Sequence, residues 1–241
     1  MKNARRKEIK KVNLKSRQLK LRIHELLGVP DANLRVSFDA IGLYPPRQSV
    51  NALISFFYDR DEVIRWRAIA AMGRVVAMLA DDNMESARVI MRRLMWSLND
   101  ESGGIGWGAP EAMGEIMARS PRLADEFSRI LRSYVCQDEN FLEHEMLQRG
   151  ALWGIGRLAE AYPNHLSQTD SHLLPFLGSE DAIHRGYAAW ALGNLKSGKA
   201  APLIENLFKD IHQVVFFDGF HLRKLPVSFL ARQAWMRISG L

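Results

Sequence analysis

The amino-acid sequence predicts an all-α fold, a right-handed α–α superhelix of stacked helix pairs with a small β-hairpin near its C-terminus. Three observations predict it. A glycine-centred segment recurs at Gly73, Gly114, Gly156 and Gly193, with spacings of 41, 42 and 37 residues, which is the period of a repeated two-helix unit. Within each recurrence, small and large apolar residues fall at helical spacing on one face. Near the C-terminus, apolar β-forming residues flank Asp218 and Gly219, a strong short-range hairpin signal.

Composition bounds the remaining classes. Of the 241 residues, 47% are apolar and 25% charged, ordinary for a folded chain. No apolar run reaches the roughly 18 residues a membrane span needs, and the Lys/Arg-rich N-terminus lacks the apolar core of a signal peptide. A cytoplasmic protein without membrane association is therefore expected. The single cysteine, Cys136, leaves no intramolecular disulfide and no Cys-cluster metal site.

Residues 1–22 form a basic extension, with ten Lys or Arg against Glu8 alone. The rest of the chain holds 23 basic and 26 acidic side chains, so the body is mildly acidic, the wrong sign for a solenoid gripping a DNA backbone. Contact with nucleic acid or an acidic partner is left to the basic tail. Residues 14–27 read as an amphipathic capping helix on Leu14, Leu19, Leu21, Ile23, Leu26 and Leu27, ended by Gly28 and Pro30. A linker follows to residue 48.

The repeats occupy residues 49–210. Five positions before each repeated glycine stand Ala68, Ala109, Ala151 and Ala188, and two before it Ala71, Ala112, Gly154 and Ala191. One before and two after come Met72 and Val75, Met113 and Ile116, Ile155 and Leu158, Leu192 and Leu195. Small residues on one stripe let helices approach closely, and a Gly that costs roughly 1 kcal/mol against Ala is retained where a neighbouring helix needs the room. Second amphipathic segments at 49–59, 85–98, 122–136, 168–178 and 201–209 each close on an acidic turn, such as Asp59 to Asp61 or Glu180 and Asp181. Residues 211–241 then hold the hairpin and a helix from Pro226 to Ile238, covering the end of the solenoid.

The acidic turn at Glu180 and Asp181, followed by Arg185, Ala188, Ala191, Leu192 and Gly193, resembles the short units of the HEAT-repeat superfamily of the phycobilisome-lyase type. That resemblance covers about residues 49–210 and implies the solenoid, while leaving the partner unspecified. The block from Trp96 to Glu115 is also similar to a group of small HEAT-like proteins from anaerobic, sulfate-reducing bacteria, a likeness that implies no activity.

Candidate functional residues concentrate in the second and third units. Trp66 and Trp107 stand seven before their glycines, Trp153 and Trp190 three before theirs, so stacking the units would align four indoles, as core or as a groove. The segment Asn99, Asp100, Glu101 and Ser102 precedes Gly103, Gly104, Gly106 and Gly108, more permissive backbone than a helix turn requires. Glu111 and Glu115 follow one turn apart, and Arg149 and Arg157 bracket Trp153, so adjacent units bring carboxylates to guanidiniums, either as ion pairs or as a polar pocket with Trp107 and Trp153. Trp96 and His144 complete the set. The glycines fit no phosphate loop, and no histidines pair as metal ligands. After residue 22 there are four Lys and nineteen Arg, suited to fixed planar ion pairs between turns.

The expected function is a non-enzymatic module binding a protein partner or ligand through this aromatic and charged surface, with no cofactor and no metal. The alternative is a DNA-binding enzyme that resembles the alkylpurine DNA glycosylases, with Trp107, Glu111, Arg149 and Trp153 as counterparts by residue type.

Overall fold

The structure, a computed structural model, describes residues 14–98 and 106–240. Most of the basic extension and the acidic, glycine-rich stretch at 99–105 lie outside the described residues. Helix α1 (Ser16–Leu27) buries Leu19, Ile23, Leu26 and Leu27. The stretch expected as linker instead holds a 3-10 turn (Asp31–Asn33), helix α2 (Leu34–Ile41) and the start of α3 (Pro46–Phe56). Leu34, Phe38 and Ile41 form its buried face at helical spacing, and the Ser37 hydroxyl donates to Leu26 O. Flanking Pro30, Gly42 and Pro45 disguise a helix this short as loop.

Helices α4 (Glu62–Asp82), α6 (Ala109–Met117), α8 (Glu145–Ala161) and α10 (Ala182–Asn194) pack side by side in one row. Behind it run α5 (Met84–Ser97) and α7 (Pro121–Ser133), then shorter pieces: α9 (Asp170–Leu173) continuing as 3-10 turn Leu174–Gly178, and α11 (Ala201–Glu205) continuing as Asn206–Lys209. The C-terminal helix α12 (Val227–Ser239) packs on α10 and extends the first row by one member. The architecture is a two-layered helical solenoid.

The repeated glycines sit where these helices touch. A Cβ on Gly114 would lie 2.4 Å from the Gly154 backbone, one on Gly156 2.4 Å from the Trp190 ring, and one on Gly193 2.5 Å from Ala234 Cα. The acidic turns cap the row: Asp61 accepts the Val63 N–H and Asp181 the Ile183 N–H, both at 2.8 Å. Arginines then tie turn to turn. Arg149 Nε donates to Asp181 at 2.6 Å and Arg185 Nε to Asp210 at 2.7 Å, each reaching the next unit.

Strands β1 (Gln213–Phe217) and β2 (Leu222–Pro226) pair antiparallel in register from Gln213 with Pro226 to Phe217 with Leu222. The loop spans Asp218 to His221, with the Asp218 carboxylate accepting the N–H groups of Phe220 and His221 and Gly219 at φ +98°. This hairpin lies across the free face of the helix row. Phe216 packs on Trp190 at 4.9 Å between centroids, Phe217 stacks on Trp66 at 5.4 Å, and Trp153 Nε1 donates to Phe217 O at 3.2 Å. Its tip reaches the N-terminal elements, where His221 stands 3.5 Å from Asp31 and Arg35 lies over the Phe220 ring. Among the described residues no helix is long and apolar enough to cross a membrane.

Candidate functional site

The four tryptophans divide. Trp66, Trp153 and Trp190 form a continuous chain, 4.8 and 6.0 Å between successive centroids, and all three are buried. The hairpin roofs them with Phe216 and Phe217, so Trp153 and Trp190 lie beneath the chain's own strands and present no surface to a partner. Trp107 stands apart, 40% exposed, its ring stacked on Tyr58. Trp96 is more exposed still, at the end of α5. Asn99, Asp100 and Glu101 lie outside the described residues.

Beside the hairpin a cavity of about 390 Å³ remains open. Phe57 forms one wall with Glu62, Arg65, Trp66 and Ile69 from α4; Trp107, Gly108 and Glu111 bound it at the start of α6. Met146 and Arg149 of α8, Ile183 and Tyr187 of α10, and Val215 of β1 close it. Its volume suits a side chain or a small ligand. Trp153, Glu115 and Arg157, expected in the same pocket, are not among its walls.

Glu111 dominates the chemistry. Gly108, at φ +76°, starts α6 so close to Phe57 that a Cβ would stand 2.8 Å from its ring. One turn in, the Glu111 carboxyl rests on Gly150 of α8, where a Cβ would stand 2.5 Å from Oε2. The residue is partly exposed, yet Oε2 is shut off from solvent and has no hydrogen-bond partner. Desolvation pushes the carboxyl up to about 7, opposed by its own backbone N–H and by Arg65. Nearby donors are engaged elsewhere. Arg65 bonds Asp59 O at 3.0 Å and pairs with Glu62 at 3.4 Å; Arg149 pairs with Asp181 at 2.6 Å and Glu145 at 3.7 Å. The Tyr187 hydroxyl donates to Val215 O at 2.6 Å, and burial, with Glu111 nearby, raises its pKa.

One turn further, Glu115 has a structural place. It is fully buried, accepting Arg119 Nε at 2.5 Å and Arg157 Nε at 2.6 Å. The carboxylate–guanidinium ladder thus forms at Glu115 and Arg157 and fails at Glu111. His144 caps α8, its Nδ1 accepting the Met146 N–H at 3.2 Å. Among the described residues no three His, Cys, Asp or Glu gather as metal ligands.

A larger recess of about 520 Å³ lies between Val135, Phe141, Phe176 and His184. Its buried polar side chains are satisfied: Gln148 Nε2 donates to Leu142 O, and His184 Nδ1 faces Ser179 Oγ at 3.1 Å. Burial lowers the His184 pKa below its ordinary value. Of these two cavities, the smaller is the one lined by a residue with an unmet polar atom.

Sequence reasoning missed Phe57, Tyr58, Arg65 and Tyr187. One signal was present. Six positions before the repeated glycines stand Arg67, Gly108, Gly150 and Tyr187, so the second and third units lack side chains where the first and fourth carry large ones, and Phe57 and Glu111 pack into that room.

A HEAT-like repeat family model matches residues 145–195, and a PBS lyase HEAT-like repeat model matches residues 185–210. An uncharacterised protein of Archaeoglobus fulgidus is 31% identical over 182 residues, 74% of this chain and 91% of that one. Two solved structures are similar in fold. An engineered protein superposes with a TM-score of 0.54 at 15% identity, covering 95% of this chain and 93% of that one. A designed armadillo repeat protein in complex with the peptide (KR)4 gives 0.52 at 16% identity, covering 90% and 98%.

Proposed function

The chain belongs to the HEAT-repeat superfamily, in one family with the Archaeoglobus fulgidus protein, and on that footing we propose that it is a non-enzymatic interaction module that binds a protein partner at the mouth of the Trp107–Glu111 cavity. One observation carries the reading: an aromatic-walled cavity with Glu111 in its lining and Trp107 exposed beside it is left open by the protein's own hairpin. The exposed Trp107 and Tyr58 rings beside the mouth are the residue types that anchor partners. The designed armadillo protein in complex with its peptide gives the repeat architecture a precedent for holding a peptide.

The test is isolation of the native complex from the source cells with wild-type protein and with Trp107→Ala and Glu111→Arg, each checked for folding by circular dichroism. Loss of a stoichiometric protein partner in both variants supports the reading. An unchanged partner in both removes the site. Nucleic acid retained at about 0.5 M salt, where tail electrostatics are largely screened, together with excision of alkylated bases abolished by Glu111→Gln, would put the glycosylase-like enzyme first.

A further inference from the structure

We infer that the groove between α3 and α5 is a second docking surface, and that it takes an acidic amphipathic helix of a protein partner. The groove shares no lining residue with the Trp107–Glu111 cavity, so the inference goes beyond the reading above. Its volume is about 570 Å³. Val50 of α3, Leu79 of α4 and Val89 and Ile90 of α5 form an apolar stripe along it, and Val89 is 54% exposed. The charged residues of the lining are Arg47 on α3 and Arg93 on α5, and no carboxylate stands among the described residues that line it.

Charge selects the sign of the occupant. Neither arginine has a carboxylate partner among the described residues: Arg93 donates to the Asn51 amide oxygen, and Arg47 is exposed. The acids on the neighbouring helices are already taken, Glu25 by Arg22 on α1 and Glu85 by Arg88 and Arg92 on α5. Lys20 of α1 adds positive charge beside the groove, where it shares a shallow recess with Asn51. This face attracts an anionic partner. It repels the chain's own residues 1–13, which hold six Lys or Arg against Glu8, so the basic extension is not the occupant.

Shape selects its class. Helices α3 and α5 bond their own backbones and offer no strand edge, so an occupant lying between them must satisfy its own backbone, as a helix does. A helix sets apolar side chains three and four residues apart on the stripe while carboxylates on its two flanks meet Arg47 on one side and Arg93 on the other. A nucleic acid would meet the arginines but find no aromatic ring in the lining on which to stack a base. Its phosphates would leave the apolar stripe uncovered.

Binding is measured by fluorescence anisotropy with the full chain and a labelled helical peptide of about fourteen residues, four turns, carrying one stripe of Leu with Glu on both flanks. The controls are the same peptide with every Glu replaced by Gln, and a peptide of the same composition with the Leu positions scrambled. The expected result is saturable binding below about 1 mM, at least about tenfold weaker for each control. The double variant Arg47→Glu with Arg93→Glu, checked for folding by circular dichroism, loses at least about tenfold in affinity and gains binding of the peptide with Lys in place of Glu. Val89→Glu loses binding of the Glu peptide, and Trp107→Ala leaves it unchanged. No saturation by the Glu peptide, equal binding of the scrambled peptide, or an unchanged affinity in the double variant overturns the inference. A loss in Trp107→Ala moves the peptide to the other cavity and overturns it as well. Duplex DNA or phosphatidylglycerol vesicles that bind wild type more tightly than the peptide, and lose affinity in the double variant, overturn the protein partner and assign the groove to that polyanion.

Discussion

Glu111 and Glu115 stand one turn apart on α6, the same residue type on the same short helix, and their surroundings give them opposite roles. Glu115 is enclosed by Arg119 and Arg157. Removing one partner of a buried ion pair leaves the other uncompensated, so Glu115→Ala should destabilise by about 3 kcal/mol in chemical denaturation. Glu111 makes stability depend on pH. Its folded-state pKa of about 7 exceeds the ordinary value of 4.5. Between these values the unfolded chain has released a proton that the folded chain keeps, so stability falls as pH rises through this range. The loss is on the order of 2 kcal/mol once partial exposure is discounted. Glu111→Gln should match wild type in melting temperature near pH 4.5 and exceed it at pH 8. A constant difference across that range would mean that Glu111 ionises normally in the folded state.

Each helix of the main row meets its neighbour at a glycine, and this contact sets how closely the units stack. Gly114 touches the Gly154 backbone, which has no rotamer with which to yield. Gly114→Ala should therefore cost about 2–4 kcal/mol despite the better helix propensity of alanine; a stabilised variant would show that the contact relaxes freely. The hairpin is the other element whose role is testable. Phe217 roofs Trp66 and Trp153, and Phe217→Ala should lose about 3 kcal/mol while shifting tryptophan emission to the red as water reaches the indoles. Unshifted emission would show that the stripe is closed without that ring.

Across the whole molecule, the hairpin and α12 do more than finish the array. Helix α12 occupies the place of a further repeat against Gly193, and the strands run back over the row until His221 meets Asp31. The two ends of the solenoid are thus joined through a segment late in the chain, in contrast to a repeat array whose units touch only their neighbours. Truncation after Asp210 should uncover Trp66, Trp153, Trp190 and the Gly193 face together. The expected product associates on size-exclusion chromatography and loses near-ultraviolet circular dichroism. A monodisperse truncated chain with intact aromatic signals would make the C-terminal segment a separable addition.

The repeat, the helix pairs, the glycine contacts and the hairpin were all legible in the sequence, because each is written in residues close together or at a fixed period. Helix α2 was not, since its buried face is only Leu34, Phe38 and Ile41 between helix-breaking neighbours. The site was half legible. Trp107, Glu111 and Arg149 do meet around one cavity, whereas Glu115 and Arg157 form a separate buried ion pair and Trp153 belongs to the core. Periodicity specifies which residues share a helix face and which faces touch in adjacent units. It carries no information about where a later, non-repeating segment lands. Only the tertiary structure decides that β1 covers the tryptophans and stops short of Glu111, because the contacts of Phe217 with Trp66 and of His221 with Asp31 join residues that no local pattern relates.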